Sequence, residues 1–165
     1  MDDLHVSWDE YHHLIERLAC QIADSGWRFD AIVAVARGGL RVGDVLSRLF
    51  ERPLGVVFTS SYREHEGMRQ GALHIGQNLA SSGLLPGPHW LVVDDLADSG
   101  ATLAQLMPIL RERHPCVQMM RSAVLWCKQA SIADPDYAVE RLAGNPWIHQ
   151  PFEKYDHLRA QDLAG

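Results

Sequence analysis

Val92-Val93-Asp94-Asp95-Leu96-Ala97-Asp98-Ser99-Gly100-Ala101-Thr102 is the stretch that decides the fold. Trp90-Leu91-Val92-Val93 is a short apolar run, which predicts a buried strand. It ends abruptly in two adjacent acids. Side chains alternate along a strand, so Asp94 and Asp95 should point in different directions at the strand tip. The small residues that follow let the backbone turn tightly. From Thr102 to Arg113, Leu103, Leu106, Met107 and Leu110 fall at helical spacing. Pro108 sits inside that helix and should kink it. A turn feeding a helix N-terminus gathers amide N–H groups. With the hydroxyls of Ser99 and Thr102 it forms a cradle for an anion.

The same alternation extends outward in both directions. Ser7-Trp8-Asp9-Glu10 has the spacing of a capping box and opens an amphipathic helix over about 8–24, with Gly26 as its stop. Ala31-Ile32-Val33-Ala34-Val35 reads as a buried strand, followed at once by Arg37-Gly38-Gly39 and a short helix through Val42 and Leu46. A second such strand lies within Pro53–Thr59. Residues 60–78 show no clean period and read as a long exposed loop or mobile hairpin. Val117–Leu125 is a further strand, and Tyr137–Val139 another short one. Strands alternating with helices predict an α/β fold: one domain over 1–165, with a mostly parallel central sheet, helices on both faces, and the polar loops at the carboxyl ends of the strands. The chain ends are left to form a small hood.

Bulk properties narrow the function. The formal charge is −6, and Arg111, Arg113 and His114, the densest basic cluster, are interrupted by Glu112, which argues against a nucleic-acid partner. No apolar stretch reaches about 18 residues, so no membrane partner is expected. The N-terminus does not resemble a secretion signal. Cys20, Cys116 and Cys127 are odd in number and far apart. They read as buried thiols in a reducing, cytoplasmic setting rather than a disulfide framework. His12 and His13 lack a third ligand at metal spacing and read as surface residues.

The central stretch resembles the signature of the type I phosphoribosyltransferases: an apolar strand, two acids, two more residues, then Asp-Thr/Ser-Gly-x-Thr. The resemblance implies that Asp98, Ser99, Gly100, Ala101 and Thr102 bind the 5-phosphate of 5-phosphoribosyl pyrophosphate (PRPP). Asp94 and Asp95 would face the ribose hydroxyls, directly or through hydrated Mg²⁺, the expected cofactor. Asp98 would also lie near N7 of a purine. An ordinary aspartate is a weak base at neutral pH, yet it can share a proton as charge develops. The catalytic candidates are therefore Asp94, Asp95, Asp98 and Arg37.

Ala36-Arg37-Gly38-Gly39 is similar to the family's Ser-Arg-Gly-Gly pyrophosphate loop, with Ala36 lacking one hydroxyl. The family often has a non-proline cis peptide there, which would fall at Ala36-Arg37. Ser60-Ser61-Tyr62 matches the start of the family's closing loop, whose purpose would be to exclude water from a reactive ribose. Arg63 and Arg69 are further pyrophosphate candidates. Lys128 matches a lysine that donates to the exocyclic O6 of a purine, although Lys128-Gln129-Ala130 replaces the family's Lys-Pro-Ala. Trp147-Ile148-His149-Gln150-Pro151-Phe152 resembles the xanthine-guanine enzymes' Trp-Ile-Glu-Gln-Pro-Trp within a hood of about 140–158. It implies a stacking Trp147 and base-edge contacts from the carbonyl of Ile148, with that of Trp147 as a second candidate. His149 stands in place of Glu, and its role is open.

Together these imply transfer of a phosphoribosyl group from PRPP to guanine, xanthine or hypoxanthine, by a homodimer or homotetramer. Two alternatives are a non-catalytic regulator that senses PRPP or nucleotide on the same fold, and transfer to another base.

Overall fold

Ser7 starts the first helix as its spacing predicts. In the computed structural model, which describes residues 3–61 and 73–164, the Glu10 N–H donates to Ser7 Oγ at 3.2 Å and the Ser7 N–H donates to Glu10 at 2.7 Å. Helix α1 (Trp8–Asp24) buries Tyr11, Leu14, Ile15, Leu18 and Ile22. Gly26, at φ 71°, follows its end.

A short strand β1 (Leu4–His5) precedes α1. After it come β2 (Ala31–Ala36), α2 (Leu40–Leu49), β3 (Leu54–Ser61), β4 (Leu73–Ala80), β5 (His89–Val93), β6 (Leu96–Ala97), α3 (Ala101–Arg113), β7 (Met119–Lys128), β8 (Tyr137–Leu142), β9 (Ile148–His149) and the short α4 (Lys154–His157). The main sheet runs β4-β3-β2-β5-β7-β6, and β8 pairs with β7. Every pairing is parallel except β3–β4. Alternate residues of the central strands face opposite layers. Ile32, Ala34, Leu91, Val93 and Leu125 pack with α1 and α2. Ala31, Val33, Val35, Val92 and Val124 pack with Leu103, Leu106 and Leu110 of α3. Helices thus cover both faces, which is why β2 is buried along its whole length.

The chain ends meet. β1 and β9 form a separate two-stranded parallel sheet, with Leu4 N–H donating to Trp147 O at 2.8 Å and Val6 N–H to His149 O at 3.0 Å.

Three sequence expectations need correction. Of the two readings of 60–78, the single loop gives way to the hairpin: Ser60 and Ser61 end β3, and 73–78 belong to β4, its antiparallel partner. Residues 62–72, and with them Tyr62, Arg63 and Arg69, lie outside the described residues. β4 escaped notice because it is a sheet edge on which only Ile75 is buried. Strand β7 extends three residues beyond Leu125, so Lys128 is its last residue rather than a residue past it. Of the three cysteines only Cys127 is buried; Cys20 lies on the exposed side of α1 and Cys116 in the turn after α3. Helix α3 continues through Pro108.

Candidate active site

β2 and β5 are neighbours, but the chain leaves them in opposite directions. From β2 it crosses through α2 to β3 on one side. From β5 it crosses through α3 to β7 on the other. A parallel sheet opens a crevice at such a point, at the carboxyl ends of its strands. A cleft of about 520 Å³ lies there, lined by Ala36, Arg37, Gly38, Thr59, Asp94, Asp95 and Thr102 among others. The folding topology therefore brings the first glycine loop to the acid pair. A larger cleft of about 660 Å³, bordered by Asn78, Leu84, Trp90 and His114, shares none of these residues.

The two acids differ as strand alternation requires. Asp94 is buried, and its Oδ1 accepts the N–H of Asp95 at 2.9 Å. Burial, reinforced by the charge of Asp95, holds the Asp94 carboxyl well above the usual carboxylate range. Asp95 is half-buried. Its backbone carbonyl accepts the N–H groups of Leu125 and Trp126, and its Oδ2 accepts Gln150 Nε2–H at 2.6 Å. Gly38 packs so close that an added Cβ would lie 2.7 Å from Asp95 Cγ. Gln150 was quoted in the sequence motif without a role. Its partner lies 55 positions away, beyond the reach of any local pattern.

After the acids, β6 pairs with Trp126 and Cys127 of β7. The chain then turns at Gly100, whose φ of 76° places it in the left-handed region at the N-cap of α3. Ala101 N–H donates to Ser99 Oγ at 3.3 Å. The segment after β7 lies against this turn: Ile132 N–H donates to Ser99 O at 2.9 Å, and a Cβ on Gly100 would lie 2.5 Å from the Ala133 nitrogen. Asp98 is exposed on the turn, and its Oδ1 is 3.0 Å from the ammonium of Lys128, which is buried. The structure thus joins the acid of the turn before α3 to the lysine at the end of β7.

The peptide between Ala36 and Arg37 is cis. Thr59 Oγ1 donates to Ala36 O at 3.4 Å, and Gly39 N–H to Val35 O at 2.7 Å. The Arg37 guanidinium is exposed, 3.8 Å from Asp156. Arg41, which sequence reasoning passed over, lies 4.5 Å from the centre of the Phe152 ring and borders a second cleft of about 400 Å³ with Arg37 and Tyr155. In the hood, Trp147 is 55% exposed and Ile148 is buried. The Trp147 carbonyl is engaged by Leu4, so the carbonyl of Ile148, next along the strand, points the other way. Of the two candidate carbonyls, that of Trp147, the second candidate, is thus committed to pairing with β1. The His149 ring stacks on His5 at 4.3 Å, its Nε2 is 3.0 Å from Asp3, and its ring centre lies 6.4 Å from that of Trp147.

Residues 7–157 match the family described as the phosphoribosyl transferase domain. The chain belongs to that family. It is 34% identical to the xanthine-guanine phosphoribosyltransferase of Idiomarina loihiensis over 161 residues, 97% of this chain and 92% of that one. It is 28% identical over 148 residues to the enzyme of the same name from Chromohalobacter salexigens, covering 90% and 82% of the two chains. Among solved structures it is similar to the xanthine-guanine-hypoxanthine phosphoribosyltransferase of Helicobacter pylori, with 26% identity, a TM-score of 0.75 and 98% of each chain covered. It is also similar to a purine phosphoribosyltransferase from Pyrococcus horikoshii, with 27% identity, a TM-score of 0.74 and coverage of 92% and 94%. In this phosphoribosyltransferase, Gln129 uses its backbone N–H, donating to Leu142 O at 3.1 Å, a bond that a proline at that position would lack. Among the described residues no helix is long and apolar enough to cross a membrane.

Proposed function

We propose that this phosphoribosyltransferase moves the 5-phosphoribosyl group of PRPP to a 6-oxopurine (guanine, xanthine or hypoxanthine) and releases pyrophosphate, acting as a homodimer or homotetramer. The observation that carries this reading is the 3.0 Å separation of Lys128 Nζ and Asp98 Oδ1. A 6-oxopurine presents a carbonyl acceptor at O6 beside N7 on one edge of the ring. A buried ammonium next to an exposed carboxylate matches that edge: Lys128 donates to O6 and Asp98 takes the N7 proton. Adenine has an amino donor where Lys128 also donates, and it fits poorly. Trp147, with half its surface exposed, supplies a stacking face, and the Ile148 carbonyl supplies an acceptor. An open stacking face and a retained lysine favour the enzyme over the regulator with a blocked base pocket.

In the transfer, a bond forms between base N9 and C1′ while the C1′–oxygen bond to pyrophosphate breaks. Asp98–Thr102 hold the 5-phosphate through backbone N–H groups at the start of α3 and the Ser99 and Thr102 hydroxyls. That remote grip aligns the ribose. Arg37, Gly38 and the Ala36-Arg37 peptide receive the leaving pyrophosphate, with Arg69 as a further contact for it and Ser60, Ser61 and Tyr62 as candidates for closing the site. Among the described residues there is no cluster of three or more His, Cys, Asp or Glu that would cage a metal. Two adjacent acids alone suit Mg²⁺, which keeps waters and takes substrate oxygens. Held by Asp94 and Asp95, it would neutralise charge on the leaving pyrophosphate.

The test is pyrophosphate release by the purified protein with PRPP and Mg²⁺ against guanine, xanthine, hypoxanthine, adenine and uracil. Turnover of at least one 6-oxopurine and neglect of adenine is the expected result. Inactivity on every base would remove the enzyme reading.

A further inference from the structure

Gln150 links two parts of the site that are distant in sequence. It follows β9, two residues beyond Ile148, and is 7% exposed. Its Nε2 donates to Asp95 Oδ2 at 2.6 Å. Its Oε1 is buried with no hydrogen-bond partner among the described residues. The bond to Asp95 therefore sets which way the amide faces, because an amide turned over would press its oxygen against a carboxylate. At the other end of that bond, Asp95 is held at its backbone by Leu125 and Trp126 and crowded from one side by Gly38. The remaining freedom of the carboxylate is rotation about its side chain, and the Gln150 amide restrains it.

We propose that Gln150 is a positioning residue for phosphoribosyl transfer: its amide, anchored just after the strand bearing Trp147 and Ile148, aims the Asp95 carboxylate at the ribose. This rests on the reading of function above. Gln150 does not touch the reacting atoms. It acts through Asp95, so its loss is felt at the sugar and not at the base.

The experiment compares wild type with Gln150→Met, which keeps length without a donor, and Gln150→Asn, which keeps the amide but is too short to reach. Initial rates give KM for PRPP and for guanine separately. Calorimetric titration of GMP in EDTA reads the ribose contact with no metal present. Loss of one charge-assisted hydrogen bond predicts about a tenfold rise in KM for PRPP and in the Kd of GMP, with KM for guanine unchanged. In an Asp95→Ala background, which has no acceptor for the amide, Gln150→Met should add less than about twofold, because the two changes act on one interaction. Should Gln150→Met fail to fold, Gln150→Asn carries the same comparison. A rise in KM for guanine equal to that for PRPP would mean that the hood has moved, and overturns the proposal. So would an undiminished Gln150→Met effect beside Asp95→Ala. Active wild type with no Gln150 effect sinks this inference alone. Wild type inactive on every base, but with the tenfold GMP effect, sinks the reading of function alone.

Discussion

Lys128 Nζ and Asp98 Oδ1 lie 3.0 Å apart, the lysine buried at the end of β7 and the aspartate exposed on the turn before α3. The pair is a poor stabiliser of the fold, since one partner is exposed to solvent. In the proposed function it meets the O6–N7 edge of a purine. Its two halves lie at the start and the end of one crossover, β5 through α3 to β7, and are held together because β6 pairs with Trp126 and Cys127 of β7.

Lys128→Met should lower kcat/KM for guanine by about 10- to 100-fold, the loss of a hydrogen bond from a charged donor. Discrimination against adenine should fall with it. Steady-state kinetics on both bases checks this, and unchanged discrimination would contradict the assignment of Lys128 to O6.

Asp98→Asn keeps the size of the side chain and removes the proton acceptor. We expect kcat to fall by about 100-fold or more, the usual contribution of a positioned acid–base group. Single-turnover rates measure it, and an undiminished rate removes the proton-handling role.

Gly100→Ala meets two obstacles: a left-handed φ of 76° and a Cβ 2.5 Å from the Ala133 nitrogen. Stability should fall by at least about 1 kcal/mol. KM for PRPP should rise more than KM for guanine, because the strain falls on the phosphate turn. Urea unfolding and kinetics together test the pairing of the two effects.

Ser7 and Glu10 give an acid-sensitive cap. The bonds from the Ser7 N–H and hydroxyl lower the Glu10 carboxyl below its ordinary 4.5. The sign follows: the unfolded chain binds the proton more tightly, so the cap's contribution is present above that value and is lost as pH falls through the folded value. Ser7→Ala should lower Tm by about 3 °C at neutral pH, and by less near pH 3. An equal loss at both pH values would contradict the coupling of the cap to Glu10.

How much was legible depended on range. Val92 to Thr102 carries strand, acids, turn and helix start in consecutive residues, so the fold class and the turn before α3 could be read directly. The capping box of α1 was legible for the same reason. Strand β4 was not: Leu73-His74-Ile75-Gly76-Gln77-Asn78 sits on a sheet edge with one buried residue, so burial imposes almost no period. The two residues of β6 are a strand only because β7 lies alongside. Lys128 fell past the predicted strand because charge is rare at the buried end of a strand, and its partner Asp98 is remote in sequence. Gln150 and Asp95 meet only when the chain ends close over the sheet tips.

The most direct test of the central claim is a crystal structure of the protein with GMP. The account predicts the 5′-phosphate on the amides of residues 98–102, with the base O6 toward Lys128 Nζ. A bound nucleotide that leaves this turn empty, or that directs its phosphate elsewhere, would contradict it.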